Sequence, residues 1–118
     1  MKTLPISIIL LGIMIGLKPT QAQNKTPSVM TQTLLVRGNC GQCKERIETA
    51  VDVKGVKFAE WNKKTQILTI TYKPSVISIE NIKARILKAG HDVDTLHSDD
   101  NAYNTLPACC KYREAKPH

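Results

Sequence analysis

At 118 residues the chain has room for one small domain with short extra segments. Its formal charge of +7 comes from dispersed basic residues with no RNA-binding aromatic motif among them, which argues against a nucleic-acid partner. Four cysteines, an even number, raise the prospect of disulfides if the chain leaves the cytoplasm.

The amino terminus suggests that it does leave. Lys2 is a positive start, Ile6 to Leu17 (ISIILLGIMIGL) is an apolar run too short to span a bilayer, and Thr20 and Ala22 are small residues before a cleavage point. Residues 1–22 are expected to be a cleaved signal peptide, which makes the mature protein periplasmic or secreted and not embedded in a membrane. Loss of Lys2 and Lys18 leaves a charge of +5. Residues 23–32 (QNKTPSVMTQ) are polar and read as a flexible leader.

From Thr33 the pattern becomes regular. "TLLVRG" is a short β-prone run ending at Gly38, the first strand. Cys43, Ile47, Ala50 and Val51 then fall on one face of a helix that starts at Gly41 and ends near Gly55. "GVKFAEWN" predicts a second strand, with Val56, Phe58 and Glu60 alternating against Lys57, Ala59 and Trp61. "QILTITY" alternates Leu68, Ile70 and Tyr72 against Ile67, Thr69 and Thr71 and is the clearest strand. Ser78 is a candidate N-cap for a second helix with Ile79, Ile82, Ile86 and Ala89 on its apolar face and Gly90 just past its end. "HDVDTL" predicts a short fourth strand. The order is β-α-β-β-α-β, an α+β ferredoxin-like sandwich over residues 33–96, with both helices on one sheet face. Residues 97–118, beginning with the polar, loop-like "HSDDNAYNTL", form a carboxy-terminal tail that carries Cys109 and Cys110.

The chemistry centres on "GNCGQCKERIE", Gly38 to Glu48. This topology puts Cys40 on the loop after the first strand and Cys43 in the first turn of the helix. There, free backbone N–H groups and the positive helix end favour thiolate. Two thiolates on one short loop suit a soft cation such as Cu(I) or Hg(II), and supply half of a structural zinc site. The same spacing also serves a thiol–disulfide redox protein with Cys40 as the attacking thiol, or a structural disulfide in a non-metal interaction module. The redox reading lacks its usual company: the inner pair is Gly41-Gln42, with no aromatic or proline beside the motif. Trp61 reads as a strand residue at the sheet face.

Three stretches together carry a family resemblance: "VRGNCGQCKERIETAV", the Gly55-Val56 that opens the second strand, and "ILKAGHDV" from Ile86 to Val93. On these, Val36 to Asp94 resembles the heavy-metal-associated domain of copper chaperones, of copper-pumping ATPases and of the periplasmic mercury-binding protein. The resemblance implies that Cys40 and Cys43 are the metal ligands, with Cu(I) the leading cargo and Hg(II) or Zn(II) the alternatives. Together with the signal-peptide reading, it implies an exported protein that sequesters or transfers the ion by ligand exchange, not an enzyme. It also implies a monomer that meets a metal-transporting membrane protein or another metal-binding domain with an acidic face. Lys44, Arg46, Lys83, Arg85 and Lys88 are candidates for that docking patch. The family pattern G-M-x-C-x-x-C is broken here, since "GNC" lacks the methionine and is one residue shorter. His91, on the loop entering the fourth strand, is a candidate further ligand or supporting group.

Cys109 and Cys110 lie outside the family pattern. Adjacent cysteines have poor geometry for a disulfide with each other. Residues 96–108 can extend ~45 Å, more than a domain diameter of roughly 25–30 Å. The tail can therefore return to the Cys40 loop, with Tyr103 and Leu106 packing it down, and offer Cys109 and Cys110 as additional metal ligands.

Overall fold

The computed structural model describes residues 15–17 and 27–114. Apart from 15–17, the expected signal peptide (1–22) lies outside the described residues, as do 23–26 of the expected leader. The elements are β1 (Met30–Leu35), α1 (Gly41–Ala50), β2 (Val56–Trp61), β3 (Ile67–Tyr72), α2 (Ile79–Lys88), a short α3 (Asp100–Asn104) and a single 3-10 turn, Ala108–Cys110. No helix among the described residues is long and apolar enough to cross a membrane.

The sheet is antiparallel with order β1-β3-β2. Its core register follows from alternation: Leu34 opposes Leu68 on one side, and Trp61 opposes Leu68 on the other. Leu34, Trp61, Leu68, Ile70 and Tyr72 are buried and join Ile47 and Val51 of the α1 face and Ile82 and Ile86 of α2 in one core. Thr31, Thr33, Leu35 and Phe58 face solvent on the other side of the sheet. Ser78 caps α2 by accepting from the Asn81 N–H at 3.1 Å. Gly90 ends it in the left-handed region, φ +102°.

Four details depart from the sequence expectations. β1 starts at Met30, so the last three leader residues are strand; Met30, Gln32 and Leu34 pair with Tyr72, Ile70 and Leu68, and the full length of β3 recruits them. β2 carries a bulge between Val56 and Phe58, which breaks the simple alternation and leaves Phe58 half exposed while Val56, Ala59 and Trp61 share the inner face. The fourth strand is reduced to isolated bridges, Val36 to Val93 and Val93 to Leu96; Asp94, at φ +50°, turns the chain out of the ladder. The segment still sits at the β1 edge, the place a ferredoxin-like sheet gives to its last strand.

The fourth departure lies beyond residue 97. "HSDDNAYNTL" is not all loop: the Asp99 carboxylate accepts from the Ala102 N–H at 2.7 Å and caps α3. Tyr103, Leu106, Cys110 and Tyr112 enter the core, so the described part of the tail packs on the domain. A Cβ on Gly90 would meet the Ala102 carbonyl at 2.8 Å, so that glycine permits both the turn and the close passage of α3. Two latches hold the segment. The Tyr112 hydroxyl donates to the Gly90 carbonyl at 2.8 Å and accepts from the Asp92 N–H at 2.9 Å. Arg113 pairs with Asp92 at 2.8 Å and with Asp100 at 3.2 Å, and donates to the Ser98 carbonyl.

Burial opposes ionisation of Asp92, but Arg113, the Ser98 N–H and His97 overcome it and hold the carboxyl down at about 2. A depressed carboxyl stabilises the fold above its ordinary value of 3.8 and loses that contribution as pH falls toward about 2. Asp92→Asn is therefore expected to lower the urea midpoint at neutral pH and to flatten its fall in acid. A variant whose midpoint falls as steeply as the wild type's between pH 5 and pH 3 would remove Asp92 from this role.

Candidate metal centre

The loop Arg37–Cys40 is shaped from below by Trp61. Its indole N–H donates to the Val36 carbonyl at 3.0 Å, and a Cβ on Gly38 would sit 2.9 Å from the ring and 3.1 Å from the Cys43 Cβ. Only glycine allows the loop to lie on that ring. Gln66 fixes the Gly38 carbonyl at 3.0 Å, and the Asn39 N–H donates to the Cys43 sulfur at 3.3 Å. Trp61 thus fills the space under the loop. In the sequence Trp61 shows only as a strand residue; its position beneath the loop is set by the bulge and by pairing to Leu68.

Cys40 is the N-cap of α1 with extended backbone, and Cys43 lies in the first turn. The Cys40 sulfur is the hub. It lies 3.4 Å from each of the Cys43, Cys109 and Cys110 sulfurs, and Cys109 and Cys110 are 4.0 Å apart. Cys40, Cys43 and Cys110 form a convergent set with all sulfurs within 4.8 Å of one another; Cys109 stands outside that set. Cys43 and Cys110 are fully buried, Cys40 is half-buried and Cys109 is exposed, its thiol donating to the Gln42 side-chain carbonyl at 3.2 Å.

The thiols are electrostatically unequal. Burial resists ionisation of Cys40, but the Cys43 backbone N–H and hydrogen bonding with the Cys109, Cys110 and Cys43 thiols bring its pKa from 9.0 down to about 7. Cys110 is pushed far up, first by burial and then because its S–H serves Cys43 and Cys40. Cys109 is raised chiefly by its hydrogen bond to Cys40. Cys40 is therefore the sulfur that the cluster favours as thiolate.

His91 is placed differently. It is fully buried, its Nδ1 lies 2.8 Å from the Arg37 carbonyl, and its ring stacks on Tyr112 at 5.6 Å. Burial lowers its pKa, so the ring is neutral. Its Nε2 has no partner, and the ring is not part of the convergent thiol set. In the expected docking patch, Lys44 is paired with Glu48 at 2.6 Å and Lys83 with Asp94 at 3.3 Å.

The Cys40 pKa sets an expectation for reactivity, since thiolate is the nucleophile. With reduced protein, iodoacetamide should modify Cys40 with a rate that rises with pH and is half-maximal near pH 7, as peptide mapping would show. A half-maximal rate near the ordinary cysteine value of 9.0 would contradict the donor arrangement.

Residues 33–92 match the family model described as "Heavy-metal-associated domain". No curated protein matches the chain at a significant level. Among solved structures, a protein of Bacillus anthracis str. Ames described as copper-ion-binding superposes with a TM-score of 0.55 at 30% identity, covering 58% of this chain and 100% of its own. The CopZ metallochaperone gives 0.53 at 30% identity over 55% of this chain and all of its own. Oxidised MerP from Ralstonia metallidurans CH34 shares the fold, with a TM-score of 0.53 at 24% identity over 56% of this chain and 94% of its own.

Proposed function

The chain belongs to the heavy-metal-associated domain family, and on that premise we propose that it carries Cu(I) on three thiolates, Cys40, Cys43 and Cys110. The observation that carries this reading is the convergence of a third, buried sulfur on the family's Cys-x-x-C pair. Sulfur–metal bonds of ~2.3 Å require sulfurs ~4.0 Å apart in a trigonal site and ~4.6 Å apart in a linear one. From contacts of 3.4 Å the trigonal arrangement needs only a small spreading, whereas a linear pair must open by about 1 Å.

Soft thiolates favour Cu(I), with Hg(II) the second candidate. A closed structural zinc site needs four converging ligands, and Cys109 is outside the convergent set. His91 supports the site from beneath through the Arg37 carbonyl and Tyr112 and does not ligate. The chemistry is ligand exchange: an incoming thiolate joins the ion before one of the protein sulfurs leaves. No substrate bond is made or broken, so the protein acts as a carrier and not an enzyme.

Export follows from residues 1–22 read as a cleaved signal, which places the carrier in the periplasm or outside the cell. The partner is a metal-transporting membrane protein or a second metal-binding domain. With Lys44 and Lys83 engaged in ion pairs and Arg46 directed at the Ala89 carbonyl, Arg85 and Lys88 are the remaining basic residues suited to an acidic face on it.

Competition of the reduced protein with bicinchoninate for Cu(I) tests the site. Cys40→Ser, Cys43→Ser and Cys110→Ser should each weaken binding by at least ~100-fold, since each removes a soft ligand and leaves a hard oxygen. X-ray absorption should count three sulfurs. Wild-type affinity in Cys110→Ser would return the site to a two-cysteine pair, and a wild type that holds no Cu(I) would remove the metal reading. For export, mass spectrometry of the protein expressed in a bacterial host should find a mature amino terminus at Gln23 in the periplasmic fraction; an intact Met1 confined to the cytoplasmic fraction would refute it.

A further inference from the structure

The four sulfurs form two triangles that share the edge between Cys40 and Cys110. The inner one is completed by Cys43, and all three of its sulfurs lie within 4.8 Å of one another. The outer one is completed by Cys109, 3.4 Å from Cys40 and 4.0 Å from Cys110. The inner triangle is closed to the surface at two of its corners, since Cys43 and Cys110 are fully buried. An ion arriving on a carrier molecule meets only the half-buried Cys40 and the exposed Cys109. Gln42, in the first turn of α1, holds the Cys109 thiol on the solvent side of the cluster.

We propose that Cys109 is a relay thiol, which receives the ion at the surface and exchanges places with Cys43 while Cys40 and Cys110 remain bonded. This rests on the three-thiolate reading of the inner site. The exchange balances without any change of oxidation state. The ion arrives between two carrier thiolates; a bond forms between the ion and the Cys109 sulfur, one carrier sulfur leaves, and the Cys109 proton goes with it. Cys40, as thiolate, then bonds the ion, Cys110 follows, and the second carrier sulfur leaves with the Cys110 proton. In the last step the Cys43 sulfur bonds the ion, the Cys109 bond breaks, and the proton given up by Cys43 returns to Cys109. Only one ligand changes in that step, so the ion never drops below the two shared sulfurs on its way inward. Unloading runs through the same states in reverse.

A relay residue alters rates and leaves the equilibrium alone. The test uses the full reduced mature chain without oxygen, with the Cu(I)–bicinchoninate complex as metal donor for loading and free bicinchoninate as acceptor for unloading, both followed by stopped-flow absorbance. Cys109→Ser should slow loading and unloading by the same factor, about tenfold or more, while the equilibrium constant stays within about threefold of wild type. X-ray absorption should count three sulfurs in both proteins. Cys109 is exposed, so the variant is expected to fold, and its circular dichroism and urea midpoint establish that it has. Unchanged rates would overturn the relay. So would a large loss of affinity or a drop in sulfur count, because Cys109 would then be a resident ligand. Should the wild type itself bind no Cu(I), the inner site fails, and that outcome is read from the wild-type titration alone.

Discussion

The Tyr112 hydroxyl sits between the Gly90 carbonyl and the Asp92 N–H, donating to one and accepting from the other, and the thiol cluster depends on that insertion. Ordering a segment of chain costs about 1–2 kcal/mol per residue in backbone entropy. Burial of Tyr103, Leu106, Cys110 and Tyr112 offsets that cost, and the hydroxyl satisfies two backbone groups that the burial would otherwise strand. The Arg113–Asp92 pair closes the arrangement from the surface side. With Tyr112 seated, the 3-10 turn Ala108–Cys110 lies beside the first turn of α1, where Cys40 and Cys43 stand.

Two different physical demands meet at the cluster. Buried thiols hold an ion away from competing water and hard ligands, but burial also slows entry. The chain divides the demands among its four cysteines: Cys43 and Cys110 are buried, Cys40 is the half-buried hub with its sulfur stabilised as thiolate, and Cys109 is exposed. Beneath them the floor is rigid. Trp61 presses on Gly38, and the neutral His91 ring joins the Arg37 carbonyl to Tyr112, so the loop that bears Cys40 and the segment that bears Cys110 rest on the same packed layer.

Much of the sheet and both long helices were legible in the sequence, because their burial is a matter of period. Leu68, Ile70 and Tyr72 alternate, and Cys43, Ile47 and Val51 recur at helical spacing. What local pattern could not show was set by tertiary contact. The bulge at Lys57 rotates Trp61 and Ala59 to the inner face together with Val56, although strict alternation puts Val56 on the opposite face. Asp94 turns away before "HDVDTL" can build a ladder. The Asp99 cap of α3 was readable as a cap, with Tyr103 and Leu106 three apart on one face behind it, but the surrounding polar residues hid it. The Cys-x-x-C pair announced itself; the floor under it did not, since Trp61 reaches the loop only once β2 pairs with β3. The returning segment was open to the sequence as a question of reach alone, and reach does not fix which of two adjacent cysteines points inward.

Cys40 and Cys110 stand 70 positions apart in the chain. An ion bonded to both is a removable cross-link closing a long loop, and in the chain-entropy account a permanent link of that span is worth about 4 kcal/mol. The loaded and empty proteins then differ in lifetime as well as in cargo. On the three-thiolate reading the empty form would open more often at its last turn and be cut there by proteases, while the loaded form would be held shut. The amount of this protein that survives in its compartment would rise and fall with the supply of the ion it carries, with no separate sensor of that supply.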